Sequence, residues 1–330
     1  MLVVSPIMET TRQDGPPNLG EGGSPHGSSK ARLSGLVLAR SNVDRVGHLR
    51  SSPEKLEQLW NEARIILLVH DRIHASDTEL IFHAASEIQG IGERYFLGIN
   101  SEDGRGYFAW RTQEEMVPEE NLRALRQIGA SLNDIEAGLA VHALGLANWH
   151  NSHPCCSRCG APTRVDLGGA VRVCDVDQSE HHPRTDPAVI VLVKDANDRL
   201  LLGRQHSWPE NRFSNFAGFV EPGESFEQCV LREVEEEAGV KVHSVHYLGS
   251  QPWPFPASIM IAFEALTYDA SVARPDGVEI TEIRWFSRSE LKDAVAAGEI
   301  SLPGGISVSR RMIEYWYGEE MKDDLVDPHD

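Results

Sequence analysis

The stretch Gly218-Phe219-Val220-Glu221-Pro222-Gly223-Glu224-Ser225-Phe226-Glu227-Gln228-Cys229-Val230-Leu231-Arg232-Glu233-Val234-Glu235-Glu236-Glu237-Ala238-Gly239-Val240 decides the reading of this chain. Gly218 and Gly223 suit a tightly bent loop, and Ser225 with Gln228 three residues later has the spacing of a capping box. Gly239 is a natural helix stop. On the helix between them Glu233, Glu236 and Glu237 fall at i, i+3 and i+4 and so share one face. Three like charges at that spacing repel one another unless a cation sits among them, and Mg²⁺ or Mn²⁺ is the hard, oxygen-seeking ion that fits. Glu235 points elsewhere, Val234 faces the core, and Arg232 can orient a carboxylate through a charge-assisted bond. A glutamate-rich helix taken alone is most often a solvated face. The glycines and the arginine around it are what point to a metal site for phosphate chemistry.

Working outward, Asp186-Pro187 leads into Ala188-Val189-Ile190-Val191-Leu192-Val193, a β-branched run that predicts a central strand. Downstream, Ser250-Gln251-Pro252-Trp253-Pro254-Phe255-Pro256-Ala257-Ser258 alternates prolines with aromatics. It predicts a stiff extended loop that cannot join a central sheet through its prolines. Its ring faces could stack nicotinamide or adenine, or else plug the core. Toward the N-terminus, Ile65–Val69, Tyr95–Ile99 and Tyr107–Trp110 predict three strands. Pro118-Glu119-Glu120 then opens a long helical stretch, with Leu122, Leu125, Ile128, Leu132, Ile135, Leu139 and Leu146 as a core-facing stripe. A last helix is expected near Ser309 to Trp316. No internal repeat is visible.

The 330 residues are long enough for two domains and an insert, and the hydrophobic fraction of 41% allows a sizeable core. The formal charge of −19 disfavours wide non-specific binding of nucleic acid. No apolar run approaches the roughly 20 residues that span a bilayer. Met1 to Met8 is short, lacks a basic flank and is not read as a signal peptide. Four of the five cysteines, Cys155, Cys156, Cys159 and Cys174, lie within twenty residues, with Cys229 apart. That is a poor disulfide framework and reads as a metal-binding patch in a reducing cytoplasm. The expected organisation is a disordered N-terminus over 1–32, an N-terminal α/β domain over 33–150 and a zinc-ribbon-like knuckle over 151–184. A catalytic domain over 185–317 and an acidic tail over 318–330 complete it.

The stretch 218–240 resembles the Nudix box without departure: Gly, five residues, Glu, seven residues, Arg-Glu, an aliphatic, any residue, Glu-Glu, any residue, Gly, an aliphatic. Average residue usage would place that pattern by chance less than about once in a hundred million start positions. The segment Ser250 to Ser258 is similar to the signature of the NADH pyrophosphatase family of Nudix hydrolases. The resemblance covers about residues 150–316, and the N-terminal part only by general layout. The resemblance implies an α/β/α Nudix sandwich and metal-dependent hydrolysis of NADH or NAD⁺ to a nicotinamide mononucleotide and AMP. It also implies removal of NAD caps from RNA, and a homodimer in which partner residues complete each site.

Carried over residue by residue, the resemblance places metal ligands at Glu233, Glu236, Glu237, Glu279 and the Ala217 carbonyl. Glu236 or Glu237 would be the general base. Substrate contacts would fall on Gln251, Pro252, Trp253, Pro254, Phe255, Pro256, Ala257 and Ser258, with Phe219 as a ring-stacking candidate and Ser309 near the terminal helix. Glu282 competes with Glu279, and the spacing to Trp285 favours Glu279. Cys156-Ser157-Arg158-Cys159-Gly160 resembles half of a zinc ribbon, but the second half reads Cys174-Asp175-Val176-Asp177 before His181-His182-Pro183-Arg184. Cys156, Cys159 and Cys174 would then share a structural Zn²⁺ with Asp177, His181 or His182, or the site has lost its metal. Two other readings are a Nudix hydrolase of ADP-ribose or another dinucleotide, and a non-catalytic nucleotide sensor.

Overall fold

In the computed structural model, residues 33–41 and 43–321 are described. The expected N-terminal tail over 1–32 and residues 322–330 of the expected acidic tail lie outside them. Among the described residues the first sheet is built from β1 (Val43–Asp44), β2 (Arg64–Val69), β3 (Arg72–His74), β4 (Phe82–His83), β5 (Gly92–Asn100), β6 (Gly106–Thr112) and β7 (Leu122–Arg123). Its order is β1-β5-β6-β2-β3-β7, with β4 also paired to β2. The three apolar runs expected as strands are β2, β5 and β6. Strand β2 is buried on both faces, between α1 (Pro53–Asn61) on one side and α3 (Asp134–Ser152) on the other. That is why it reads as a continuous apolar run rather than an alternation.

The long helix expected from Pro118 is broken into pieces. Leu122 pairs with His74 as strand β7, a short α2 covers Leu125–Ile128, and α3 starts afresh at Asp134. The Asn133 side chain accepts the amide of Glu136 and caps the new helix. The apolar spacing was right about burial, since Leu122, Leu125, Ile128, Leu132, Leu139 and Leu146 are all buried. It overlooked Asn133, whose short polar side chain competes with a continuing helix.

A small sheet of β8 (Thr163–Asp166), β9 (Val171–Cys174) and β10 (Glu180–His181) follows. The last sheet contains β11 (Asp186–Lys194), β12 (Leu200–Gln205), β13 (Phe216–Phe219), β14 (Val242–Trp253), β15 (Ser258–Thr267) and β16 (Ile280–Phe286). Strands run in the order β14-β15-β11-β12-β16, with β13 on β11 and β11 parallel to β15. Val189, Val191 and Val193 of β11 pack with Val230 and Val234 of α4 (Phe226–Ala238). Ile190 and Leu192 pack on the opposite face with α5 (Arg288–Ala296) and α6 (Val308–Tyr317). The result is the α/β/α sandwich. Pro252 and Trp253 are not loop residues as expected but the end of β14, paired with Ile259 and Ser258. Strand β14 is the sheet edge, where a residue without an N–H is tolerated. Among the described residues no helix is long and apolar enough to cross a membrane.

Candidate active site

Helix α4 is held at both ends as its sequence dictates. Ser225 and Gln228 close the capping box, and Gly239 ends the helix at φ 68°. Arg232 grips Glu224 through two bonds, Nε to Oε1 at 2.7 Å and Nη2 to Oε2 at 2.8 Å. Its Nη1 donates to Glu233 at 2.7 Å and to Glu236 at 3.2 Å, and Nη2 also reaches the Phe219 carbonyl at 3.0 Å. One arginine thus ties the loop to the helix and aims two carboxylates. The grip on Glu224 pushes that carboxyl down to about 2.

Glu237 is 3% exposed, and its Oε2 has no hydrogen-bond partner. Burial first, then the charges of Glu279 and Glu233, push it up to about 8. Burial, with Glu236 and Glu279 adding to it, also raises Glu233 against the pull of Arg232. A Cβ at Gly218 would lie 1.9 Å from the Glu233 carboxyl carbon, so any side chain there would push that carboxylate from the place where Arg232 holds it. Orphaned, mutually repelling carboxylates with oxygen donors only are the setting a hard divalent cation satisfies, and the residues present fit such an ion. Glu279 contributes to the field at buried Glu237 and half-buried Glu233, whereas Glu282 faces Arg204 at 3.5 Å.

A cleft of about 180 Å³ opens beside Glu237. Of the residues singled out from sequence it brings together Ala217, Glu237, Trp253 and Ser309. Ser309 is buried, bonded to Ser214 Oγ at 2.8 Å and to Asn215 Nδ2 at 2.9 Å. Phe219 stands 60% exposed next to Gly218. Trp208, Arg212 and Asn215 also line the cleft. Sequence reasoning missed them because they sit in the connection from β12 to β13, outside any motif; the Trp208-Pro209 pair was the signal available.

Gln251 is not in the cleft. It is 0% exposed, its Oε1 accepts from the Leu38 amide at 3.1 Å and its Nε2 donates to the Ile306 carbonyl at 2.9 Å. That side chain is a structural joint, which departs from its expected substrate contact. Trp253 and Phe255 meet edge to face at 4.9 Å, with the Arg126 guanidinium 5.0 and 4.0 Å from their centroids. Asn148 of α3 donates to the carbonyls of Pro254 and Pro256 at 2.9 and 3.0 Å. Pro252, Pro254, Ala257 and Ser258 line a different cavity, on the other side of Trp253.

In the small sheet, ligand atoms of Cys156, Cys159, Cys174 and Asp177 all lie within 4.8 Å of one another and can hold a metal ion. Cys159 and Cys174 sulfurs are 3.5 Å apart and Cys156 Sγ is 3.8 Å from Asp177 Oδ2. Those spacings fit the edges of a tetrahedron with metal–sulfur bonds of about 2.3 Å. His181 instead approaches Ser157 and Ser179, and exposed His182 lies beside Glu180.

Residues 184–302 match the NUDIX domain. The chain is 40% identical over 296 residues to the NAD-capped RNA hydrolase NudC of Mycobacterium bovis, covering 85% of this chain and 94% of that protein. The same figures hold for the protein of that name from Mycobacterium tuberculosis. The human NAD-capped RNA hydrolase NUDT12 is 36% identical over 197 residues, covering 56% of this chain and 42% of that protein. The mycobacterial similarity, over 296 residues, is longer than the span of about 150–316 expected from the family resemblance.

Proposed function

The chain belongs to the NADH-pyrophosphatase type of Nudix hydrolases, and from that membership we propose that it hydrolyses NADH or NAD⁺ to a nicotinamide mononucleotide and AMP and removes NAD caps from RNA. One observation carries the reading: Glu237 of α4, with its orphaned Oε2, borders the same cleft as the aromatic wall at Trp253. Phosphate chemistry and ring recognition therefore meet in one place.

Mg²⁺ or Mn²⁺, held by Glu233, Glu236, Glu237, Glu279 and the Ala217 carbonyl, would bind the diphosphate and supply Lewis-acid polarisation of phosphorus. The chain's own residues do the rest. Arg232 fixes the orientation of Glu233, whose carboxylate occupies the space beside Gly218 that a side chain would take. Glu236 or Glu237 takes the proton of the attacking water. Trp253 and Phe219 offer ring faces to the base, and Ser309 closes the cleft floor. Pro252, Pro254, Phe255, Pro256, Ala257 and Ser258 shape the wall that carries Trp253, with Gln251 as its anchor.

Three structural parts of the reading go with it. The chain is divided into an N-terminal domain over 33–150, a knuckle over 151–184 and a hydrolase domain over 185–317, supported by three separate sheets. Zn²⁺ at Cys156, Cys159, Cys174 and Asp177 is structural, supported by their spacing. The enzyme works as a homodimer in the cytoplasm, where cysteine ligands stay reduced. The deciding experiment measures NADH hydrolysis by Glu237→Gln in Mg²⁺ or Mn²⁺. The expected loss is at least about a hundredfold in kcat with unchanged circular dichroism, and near-normal turnover would sink the assignment. Glu236→Gln beside it separates ligand from base through the pH dependence of kcat.

A further inference from the structure

Beyond Trp253, away from the catalytic cleft, lies a second cavity of about 370 Å³. Arg45, Arg50 and His142 face it from the N-terminal layer, and Arg184 and Ser258 from the other side. Among the described residues no Asp or Glu lines it, although the chain carries 50 acidic residues against 31 basic ones. A wall free of acid is therefore not what this composition would produce by default.

The arginines are also short of partners. The Arg50 Nε is buried without a hydrogen bond. Arg45 keeps exposed surface, and packing of part of its side chain against the cavity wall, then the charge of Arg50, lower it from the ordinary arginine value, with no carboxylate acting on it. His142, on α3 behind them, is held neutral, its pKa lowered to about 3 by burial and by both arginines. Arg184 keeps one counter-charge, Asp186 at 2.7 Å. Cations gathered against each other in a recess form a site that an anion relieves, and guanidinium forks match phosphate oxygens.

We propose that this cavity is a phosphate-binding subsite, separate from the catalytic carboxylates, that receives the phosphodiester of the polynucleotide chain next to the cap. Trp253 lines both cavities, so the dinucleotide end and the chain that follows it share one wall. The inference rests on the proposed activity for the source of the phosphate. The phosphate chemistry itself does not, since a free nucleotide or orthophosphate would use the same arginines.

The test compares the full-length wild type with Arg45→Ala/Arg50→Ala and Arg45→Lys/Arg50→Lys on NADH and on a short NAD-capped oligoribonucleotide. Orthophosphate and AMP are titrated in parallel by calorimetry, in chelator so that the metal site does not compete. The alanine pair is expected to lose about tenfold in kcat/KM on the capped oligonucleotide, through KM, with NADH turnover within about twofold of wild type and the lysine pair intermediate. The salt dependence of the capped substrate should flatten by about 1.4 in log–log slope, for two lost single-strand contacts. Loss of orthophosphate or AMP binding with unchanged activity on the capped substrate would support the anion site and assign it to a free ligand. Equal losses on both substrates, or no change in any arm, would overturn the proposal. So would conversion of a dimer to monomer with anion binding intact, which would make these arginines interface residues. If the wild type cleaves neither substrate, the functional reading fails while the orthophosphate titration still decides the cavity.

Discussion

Glu237 joins three facts at one carboxyl: it is buried, it faces Glu279 and Glu233, and one of its oxygens has no partner. Its folded pKa of about 8 lies above the ordinary carboxylate value, so the metal-free native state keeps a proton that the unfolded chain has released. Stability should be fullest below the unfolded value and fall as pH rises toward 8. A divalent ion takes the place of that proton and should remove the loss. Melting temperatures in chelator are therefore expected to drop between pH 5.5 and 8, with added Mg²⁺ or Mn²⁺ restoring more at pH 8 than at pH 5.5. Glu237→Gln should be more stable than wild type in chelator at pH 8, by about 1–2 kcal/mol, because the neutral amide removes the repulsion. A flat pH response would show that the pocket is wetter than its burial implies. The helical spacing of Glu233, Glu236 and Glu237 was legible in the sequence, since 3.6-residue periodicity is a local property. Trp208, Arg212 and Asn215 were not, because no local pattern says which connection folds over a cleft.

At the scale of elements, local signals were read best where side chain and backbone settle the matter between neighbours. The α4 boundaries follow from Ser225, Gln228 and Gly239, and β11 from its unbroken apolar run. The expected helix from Pro118 failed because Leu122 finds a strand partner in His74, 48 residues earlier in the chain and invisible to periodicity. Pro252 in β14 is the converse: proline argues against a sheet interior, and only the tertiary order shows that this strand is the edge. The aromatic hairpin that follows is held from outside by Asn148. Asn148→Ala should therefore loosen the wall carrying Trp253 without touching the carboxylates. The expected result is KM for NADH raised about three- to tenfold with kcat nearly unchanged, at a stability cost of about 1 kcal/mol. A fall in kcat with KM unchanged would place Asn148 in the chemistry instead.

At the scale of the molecule, the N-terminal sheet, the long helix and the small sheet are cross-braced. Arg172 of β9 donates to Thr163, to His150 of α3 and to Glu93 of β5, so the small sheet, the long helix and the N-terminal sheet share one buried node. His150 stacks on Tyr95 at 4.6 Å and bonds the Gly169 carbonyl. Stripping a metal from the cysteine cluster should therefore be felt well beyond the knuckle. About one zinc per chain is expected by elemental analysis. Cys174→Ser should lose it and lower the melting temperature by several degrees while kcat on NADH changes less than about threefold. Full stability without zinc would mean that packing alone holds the small sheet.

Gln251 has a practical meaning for anyone seeking a smaller enzyme. Its two amide atoms are spoken for by Leu38 and Ile306, both outside the 184–302 stretch that matches the catalytic domain. Excising that stretch would strand a primary amide in an apolar interior at the root of the aromatic wall. The unit that can be cut out and transplanted is thus wider than the unit recognisable by likeness, and a workable truncation must begin before Leu38 and end after Ile306.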